Sequence, residues 1–321
     1  MNFKPILIVA GEPNSIFFEI FFKTIKLKKF RSPIIIIGSY DLINLQMKKL
    51  NFKKKIKVIE QNNLNKKFKI NNNYINLINV KYNQKNAFEK ITSKSNTYIE
   101  NSFKIAFDII KKGITRKLVN GPISKKTFFK KKYNGVTEYL AKKFNIKNVA
   151  MIIYNKNLSV CPITTHLPLK DVTKKINKKI IFNKVKLIDA FYRDYFNFIP
   201  RIAITGLNPH CESINKFNED EKIIKPCIKH LKKKYNVNGP FAADTLFIKE
   251  NRAKYDVIIG MYHDQVLTPI KTLFEYDAIN ITLGLPFVRI SPDHGPNEAM
   301  LGKNSSNPLS LIKAISFLDQ N

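Results

Sequence analysis

Tyr255-Asp-Val-Ile-Ile-Gly-Met261 is an apolar run of strand length, and it ends in the polar cluster Tyr262-His-Asp-Gln265. Short runs rich in β-branched residues and bounded by turns fit strands buried on both faces. The same design recurs in Ile6–Ala10, Pro33–Gly38, Val149–Tyr154 and Arg201–Gly206. Helix-length segments lie between them, among them Thr97–Lys112 and Asn215–Tyr235. Such alternation predicts an α/β protein with a largely parallel sheet. The 321 residues suffice for two such domains or one large one. Asp41–Gln84 is polar and lysine-rich and reads as peripheral, and no Gly/Pro/Ser-rich hinge or internal repeat stands out.

In open α/β sheets the loops beyond the carboxyl ends of the strands share one edge, so polar groups there converge. Thr115–Val119 leads into Asn120-Gly-Pro-Ile-Ser-Lys125, Leu158–Thr165 into His166, Ile202–Leu207 into Asn208-Pro-His210, and Val257–Met261 into His263. Three of the five histidines thus occupy matching positions, His294 lies in a Gly/Pro-rich turn, and His230 sits in a helix-like lysine run. One histidine alone would read as a hydrogen-bonded surface or core group. Three at equivalent strand ends suit a catalytic metal site with open positions. Lys271, Asn280 and Arg289 follow, each readable as a solvated surface group, together suited to clamping a phosphate or carboxylate.

Charge is the unusual bulk property: 56 Lys+Arg against 24 Asp+Glu give a formal +32. Anionic partners would be favoured, but most of the excess is lysine travelling with Asn and Ile, the mark of compositional drift. The runs Lys53–Lys55, Lys130–Lys132 and Lys232–Lys234 are scattered and lack interleaved aromatics, which argues against specific nucleic-acid binding. Three cysteines without a Cys-x-x-Cys pair point to a reducing compartment, and no segment approaches the roughly 18 apolar residues of a membrane span. A cytoplasmic protein is expected. Gly-x-Gly-x-x-Gly, Walker A and Gly-x-Ser-x-Gly patterns are absent.

Read in order, Gly11-Glu-Pro13, Asn120–Lys125, Thr137-Glu-Tyr-Leu-Ala141, Thr165-His-Leu-Pro-Leu-Lys-Asp-Val172, Gly206-Leu-Asn-Pro-His210, Gly239–Phe247, Met261-Tyr-His-Asp-Gln265, Asn280–Arg289 and Asp293-His-Gly295 resemble the 4-hydroxythreonine-4-phosphate dehydrogenase family of pyridoxal-phosphate biosynthesis. The resemblance implies a fold like isocitrate and isopropylmalate dehydrogenases, with two α/β domains and a cleft between them. The first domain is expected over 1-130 plus 296-321, and the second, carrying the histidines, over 131-295. It further implies NAD or NADP as oxidant and a divalent metal (zinc, magnesium or cobalt) on His166, His210 and His263. A homodimer with the metal site shared between subunits is implied as well. Substrate contacts carry over to Thr137, Lys271, Asn280 and Arg289, and to position 136; His294 and Gly295 fall in the cofactor loop. Lys125 and Asp244, acting through water, are the alternatives for the general base.

Departures from the family pattern are specific. Gly11-Glu-Pro-Asn-Ser-Ile-Phe-Phe-Glu19 replaces a glycine-rich loop, so either that loop is structural here or its contacts are rebuilt. Val136 stands where the family carries a substrate-binding histidine. Cys211 follows a candidate ligand and reads as a small buried filler or a fourth ligand. The loop beyond Gly295 matches only in part. These departures keep open a relative acting on phosphorylated four-carbon sugar acids (4-phospho-threonate or 4-phospho-erythronate) and, more remotely, a non-catalytic basic binding protein on the same scaffold.

Overall fold

The computed structural model describes every residue except 1, 2, 65–69, 130–132, 134, 215, 216, 293 and 321. The lysine run 130–132 and the aspartate at 293 therefore lie outside the described residues. The chain divides into two compact units, Met1–Val136 with Pro286–Asn321, and Thr137–Leu285. Strands are numbered along the chain. The first unit begins with β1 (Ile6–Val9), β2 (Ile34–Gly38), β3 (Ile56–Val58), β4 (Ile75–Asn79) and β5 (Lys117–Asn120). The second holds β6 (Ala150–Tyr154), β7 (Ser159–Pro162), β8 (Ile202–Thr205), β9 (Val237–Phe241), β10 (Val257–Gly260) and β11 (Ile279–Leu283), after which β12 (Val288–Pro292) belongs to the first again.

In the first unit the strand order is β3-β4-β2-β1-β5-β12, and every pairing is parallel. All four residues of β1 and all five of β2 are buried, as expected for strands covered on both faces. Each such Ile or Val contributes on the order of 1.5–3 kcal/mol by leaving water. The lysine-rich stretch 41–84 supplies the outer strands β3 and β4, so it is peripheral in the sheet as well as in composition. Strand β1 runs between β2 on one side and β5 on the other, which makes the crevice beyond β1 and β5 this unit's topological switch point.

The substituted glycine loop has become core. Phe17 and Phe18 open the helix Phe17–Leu27 and are almost wholly buried, stacking with Phe21 and Phe22. Gly121 shows why the fit is close: a Cβ there would strike the Ala10 carbonyl and the Phe17 ring. In this chain the segment is structural, filled by aromatic rings.

In the second unit the order is β11-β6-β7-β10-β8-β9. Strand β6 pairs antiparallel with β11 and β7, while β7, β10, β8 and β9 are mutually parallel. Val160, Ala203, Ile258 and Val266 meet in its core. The helix expected over 215–235 is shorter: a π-helical turn, Asp220–Ile224, precedes the helix Lys225–Leu231. Asp220, at the start of that turn, is fully buried and turns inward to bind the loop after β8. No helix among the described residues is long and apolar enough to cross a membrane.

Candidate metal and substrate site

Parallel β7, β10 and β8 end on one edge of the second unit, and each delivers one candidate ligand. The β7 and β10 ends are tied together: the Ile163 amide donates to the Gly260 carbonyl (2.7 Å), and the Thr164 hydroxyl to the Met261 carbonyl (2.8 Å). Gln265 links β10 to β8. Its Oε1 accepts from the Met261 amide (2.7 Å) and the Thr205 hydroxyl (2.9 Å), and its Nε2 donates to the Gly206 carbonyl (2.8 Å). Asp220 secures the loop from Gly206 to His210, accepting from the Leu207 amide (2.8 Å), the Asn208 amide (3.0 Å) and the Asn208 side chain (2.9 Å).

This bracing brings the His166 and His263 rings to 5.7 Å between centroids, tilted by 38°. His263 opens the helix His263–Phe274, and its Nδ1 lies 2.6 Å from Asp264 Oδ1. With the proton on Nδ1 and donated to that carboxylate, Nε2 keeps its lone pair for a metal. His166 (φ 52°) and His210 (φ 56°) both hold left-handed backbone, which costs a non-glycine residue roughly 1–2 kcal/mol. Both side chains are exposed at the edge. Among the described residues of one chain, no three or more His, Cys, Asp or Glu groups gather as a cation site.

Cys211 is buried and packs against the Gly206 position. Burial, followed by the nearby Asp220 and Asp244 carboxylates, pushes its thiol up, which disfavours the thiolate a metal would need. That supports the filler role. Asp244 is exposed in the short helix Ala243–Leu246, close enough to act on that thiol.

The other candidates of the second unit lie on nearby elements. Thr137 begins this unit in the helix Val136–Lys143, and its hydroxyl pairs with Thr282 of β11 at 3.2 Å. Asn280, also on β11, has a buried Oδ1 with no partner. Glu138 accepts from the Thr165 hydroxyl (3.4 Å) through Oε1, while its buried Oε2 has no partner. Lys271 is exposed on the helix His263–Phe274.

The remaining candidates belong to the first unit. Arg289 lies on β12 and is only 2% exposed, so the surface reading open to it is corrected. Its Nε donates to Oδ1 of Asn120, the last residue of β5, at 2.7 Å. Glu12, 2% exposed beyond β1, accepts from the Ser95 hydroxyl (3.0 Å). Burial raises its pKa, and the hydrogen bond from Ser95 opposes that shift. Lys125 opens the π-helical turn Lys125–Phe129, and Val136 closes this unit. His294 is half-buried with Nδ1 at 2.9 Å from the Gly295 carbonyl, and Gly295 is exposed.

Sequence reasoning missed Asn120, Glu138, Gln265, Asp220 and Thr282 as participants. Asn120, Glu138, Gln265 and Thr282 sit inside quoted motifs, so motif membership was the available signal. Asp220 had none, because its loop partners are 12 and 13 residues upstream.

Comparison with known proteins gives a consistent picture. The family model for "Pyridoxal phosphate biosynthetic protein PdxA" matches residues 29–318. The chain is 38% identical over 319 residues to a 4-hydroxythreonine-4-phosphate dehydrogenase of Sulfurihydrogenibium sp., covering 97% of this chain and 96% of that relative. It is 35% identical over 190 residues to a D-threonate 4-phosphate dehydrogenase of Pectobacterium atrosepticum, covering 59% of this chain and 58% of that one. The crystal structure of a 4-hydroxythreonine-4-phosphate dehydrogenase from Klebsiella pneumoniae superposes with a TM-score of 0.84 at 26% identity, covering 98% of both chains.

Proposed function

The chain belongs to the pyridoxal phosphate biosynthetic protein PdxA family, and from that premise we propose that it is a 4-hydroxythreonine-4-phosphate dehydrogenase. It oxidises 4-phosphohydroxythreonine with NAD or NADP to a β-keto acid, which loses carbon dioxide to leave 3-amino-2-oxopropyl phosphate. The observation that carries the reading is the His166 and His263 pair, facing each other at braced strand ends in a chain matched to the family over 29–318.

The donor set fits a divalent ion: two neighbouring imidazoles, one with its Nδ1 beside a carboxylate, and a third histidine held like His166 in left-handed backbone. His166, His210 and His263 would hold zinc or cobalt, which imidazole nitrogens suit better than magnesium, and the ion when bound would supply Lewis acidity toward the substrate hydroxyl and the ketone formed from it. Two of these ligands are exposed, which supports a homodimer in which a second copy completes the site.

The side chains do the rest. Arg289, its Nε fixed by Asn120, presents a guanidinium to an anionic end of the substrate, and Lys271 adds a point charge. Asn280 Oδ1 offers an acceptor to a substrate N–H or O–H, and Thr137 a hydroxyl. NAD or NADP, when bound, would accept the carbinol hydride, and Lys125 or Asp244 would take the hydroxyl proton through water. The carboxylate carbon–carbon bond then breaks, carbon dioxide departs, and the electron pair left on the α-carbon takes up a proton. His294 and Gly295 serve the cofactor.

An assay of NAD and NADP reduction with 4-phosphohydroxythreonine, with and without chelator, tests the reading. Turnover lost with chelator and with His210→Ala is expected; turnover indifferent to both removes it. Val136 and the Pectobacterium relative favour one second reading, oxidation of 4-phospho-threonate. A higher kcat/KM on that non-amino substrate would establish it.

A further inference from the structure

We propose that the first unit carries a second ligand site, for a small phosphate monoester attached to a flat ring that bears an N–H donor. It lies at the amino-end edge of the sheet, where Ile34 begins β2 and Ile75 begins β4, and encloses about 630 Å³. That volume is ordinary for a small-molecule pocket. Within this unit, Asn120 and the Arg289 side chain bonded to it meet at the opposite, carboxyl end of β5, so the cavity is separate from them, and the proposal does not rest on their assignment to dehydrogenation.

Lys26, Lys28, Lys29, Arg31 and Lys54 line it, and its described lining contains no carboxylate. Lys28 is engaged with the Ser316 hydroxyl at 2.8 Å and the Arg31 guanidinium lies 6.0 Å from the Phe3 ring centre, which leaves Lys26, Lys29 and Lys54 as the set for a phosphate. Phe21, Ile34 and Ile36 give the cavity buried apolar wall, and the half-buried Phe30 ring gives a flat face for stacking. Lysine excess alone would produce a charged patch anywhere on this chain, so charge does not decide the matter.

Two asparagines decide it. Asn72 braces the wall: its Oδ1 accepts from the Ile34 amide (2.9 Å), and its Nδ2 donates to the Phe30 and Ser32 carbonyls. Asn76 also lines the cavity and is 2% exposed. Its Nδ2 donates to the Ile34 (3.1 Å) and Asn71 (2.8 Å) carbonyls, which fixes the amide's orientation. Its Oδ1 is then a buried acceptor with no partner. Buried polar atoms of this kind are rare unless something supplies the donor. An N–H borne by the ring, such as the exocyclic amino group of adenine, reaching Asn76 while the phosphate meets Lys26 and Lys54 satisfies both halves of the cavity.

Adenosine 5′-monophosphate is the probe, titrated calorimetrically into the full chain. Saturable binding of one equivalent is expected, at least ten-fold tighter than adenosine, ribose 5-phosphate or inorganic phosphate. The Lys26→Glu/Lys54→Glu double variant should weaken it at least ten-fold with unfolding temperature and NAD reduction unchanged. Displacement of the probe by NADH, equal binding of inorganic phosphate, or unchanged affinity in the double variant would each overturn the proposal.

Discussion

Replacing Asp220 with alanine tests how the His210 loop is held. The carboxylate is fully buried and accepts three hydrogen bonds, two of them from the backbone amides of Leu207 and Asn208. Each buried donor left unmet costs about 1–3 kcal/mol. Leu207 and Asn208 are half-buried, so water recovers part of the loss and about 3 kcal/mol is expected. At about 2–4 °C per kcal/mol for a unit of this size, the second unit's Tm should fall by roughly 6–12 °C. Asp220→Asn keeps a carbonyl acceptor and should lose about half as much. The same loop presents His210, so cobalt affinity, read from its visible absorption in a direct titration, should drop roughly 10–100-fold in the alanine variant. A stability loss under about 1 kcal/mol, or unchanged cobalt affinity, would refute the claim that Asp220 positions His210.

Three further outcomes are expected. Arg289→Lys removes the fork held by Asn120 and should raise KM for the phosphorylated substrate by about 10–100-fold, with kcat less affected; a KM unchanged in steady-state kinetics would mean that the guanidinium touches no substrate. Val136→His restores the side chain the family carries at that position, and kcat/KM for 4-phosphohydroxythreonine should rise, whereas a fall would show that the surroundings of this position are rebuilt around valine. Glu12 has a pKa raised by burial, so its contribution to stability is full below the unfolded value of 4.5 and fades as pH climbs through the folded value. Glu12→Gln should therefore be the more stable form at pH 7 and match the parent near pH 4 by urea denaturation; equal midpoints at both would contradict the burial effect.

The strands were legible because they are buried on both faces, and a run such as Ile34–Gly38 has no other economical reading. The histidines were legible as positions, since each follows a strand that the pattern identifies. What escaped the sequence was coupling at long range. Arg289 reads equally well as a surface group until Asn120, 169 residues earlier, is seen to hold it. The helix expected over 215–235 is present over 220–231, but its first turn is π-helical and its Asp220 serves a neighbouring loop, a role no periodicity encodes. Phe17 and Phe18 left two alternatives open, and only their packing against Gly121 and the adjoining aromatic rings decided for a structural loop.

Left-handed backbone at His166 and His210 also says something about how this chain tolerates change. Among the described residues, the other non-glycine positions with positive φ are Asn51, Asn145, Asn197, Asn297 and Asn304, together with Cys211 and Glu275. Asparagine, which after glycine visits that region most readily, thus fills five of those seven positions. Keeping histidine at two such sites opposes both conformational fit and compositional drift. His166→Asn and His210→Asn should give a firmer scaffold and an idle enzyme, which places the protein's sharpest conflict between durability and chemistry in two loop residues.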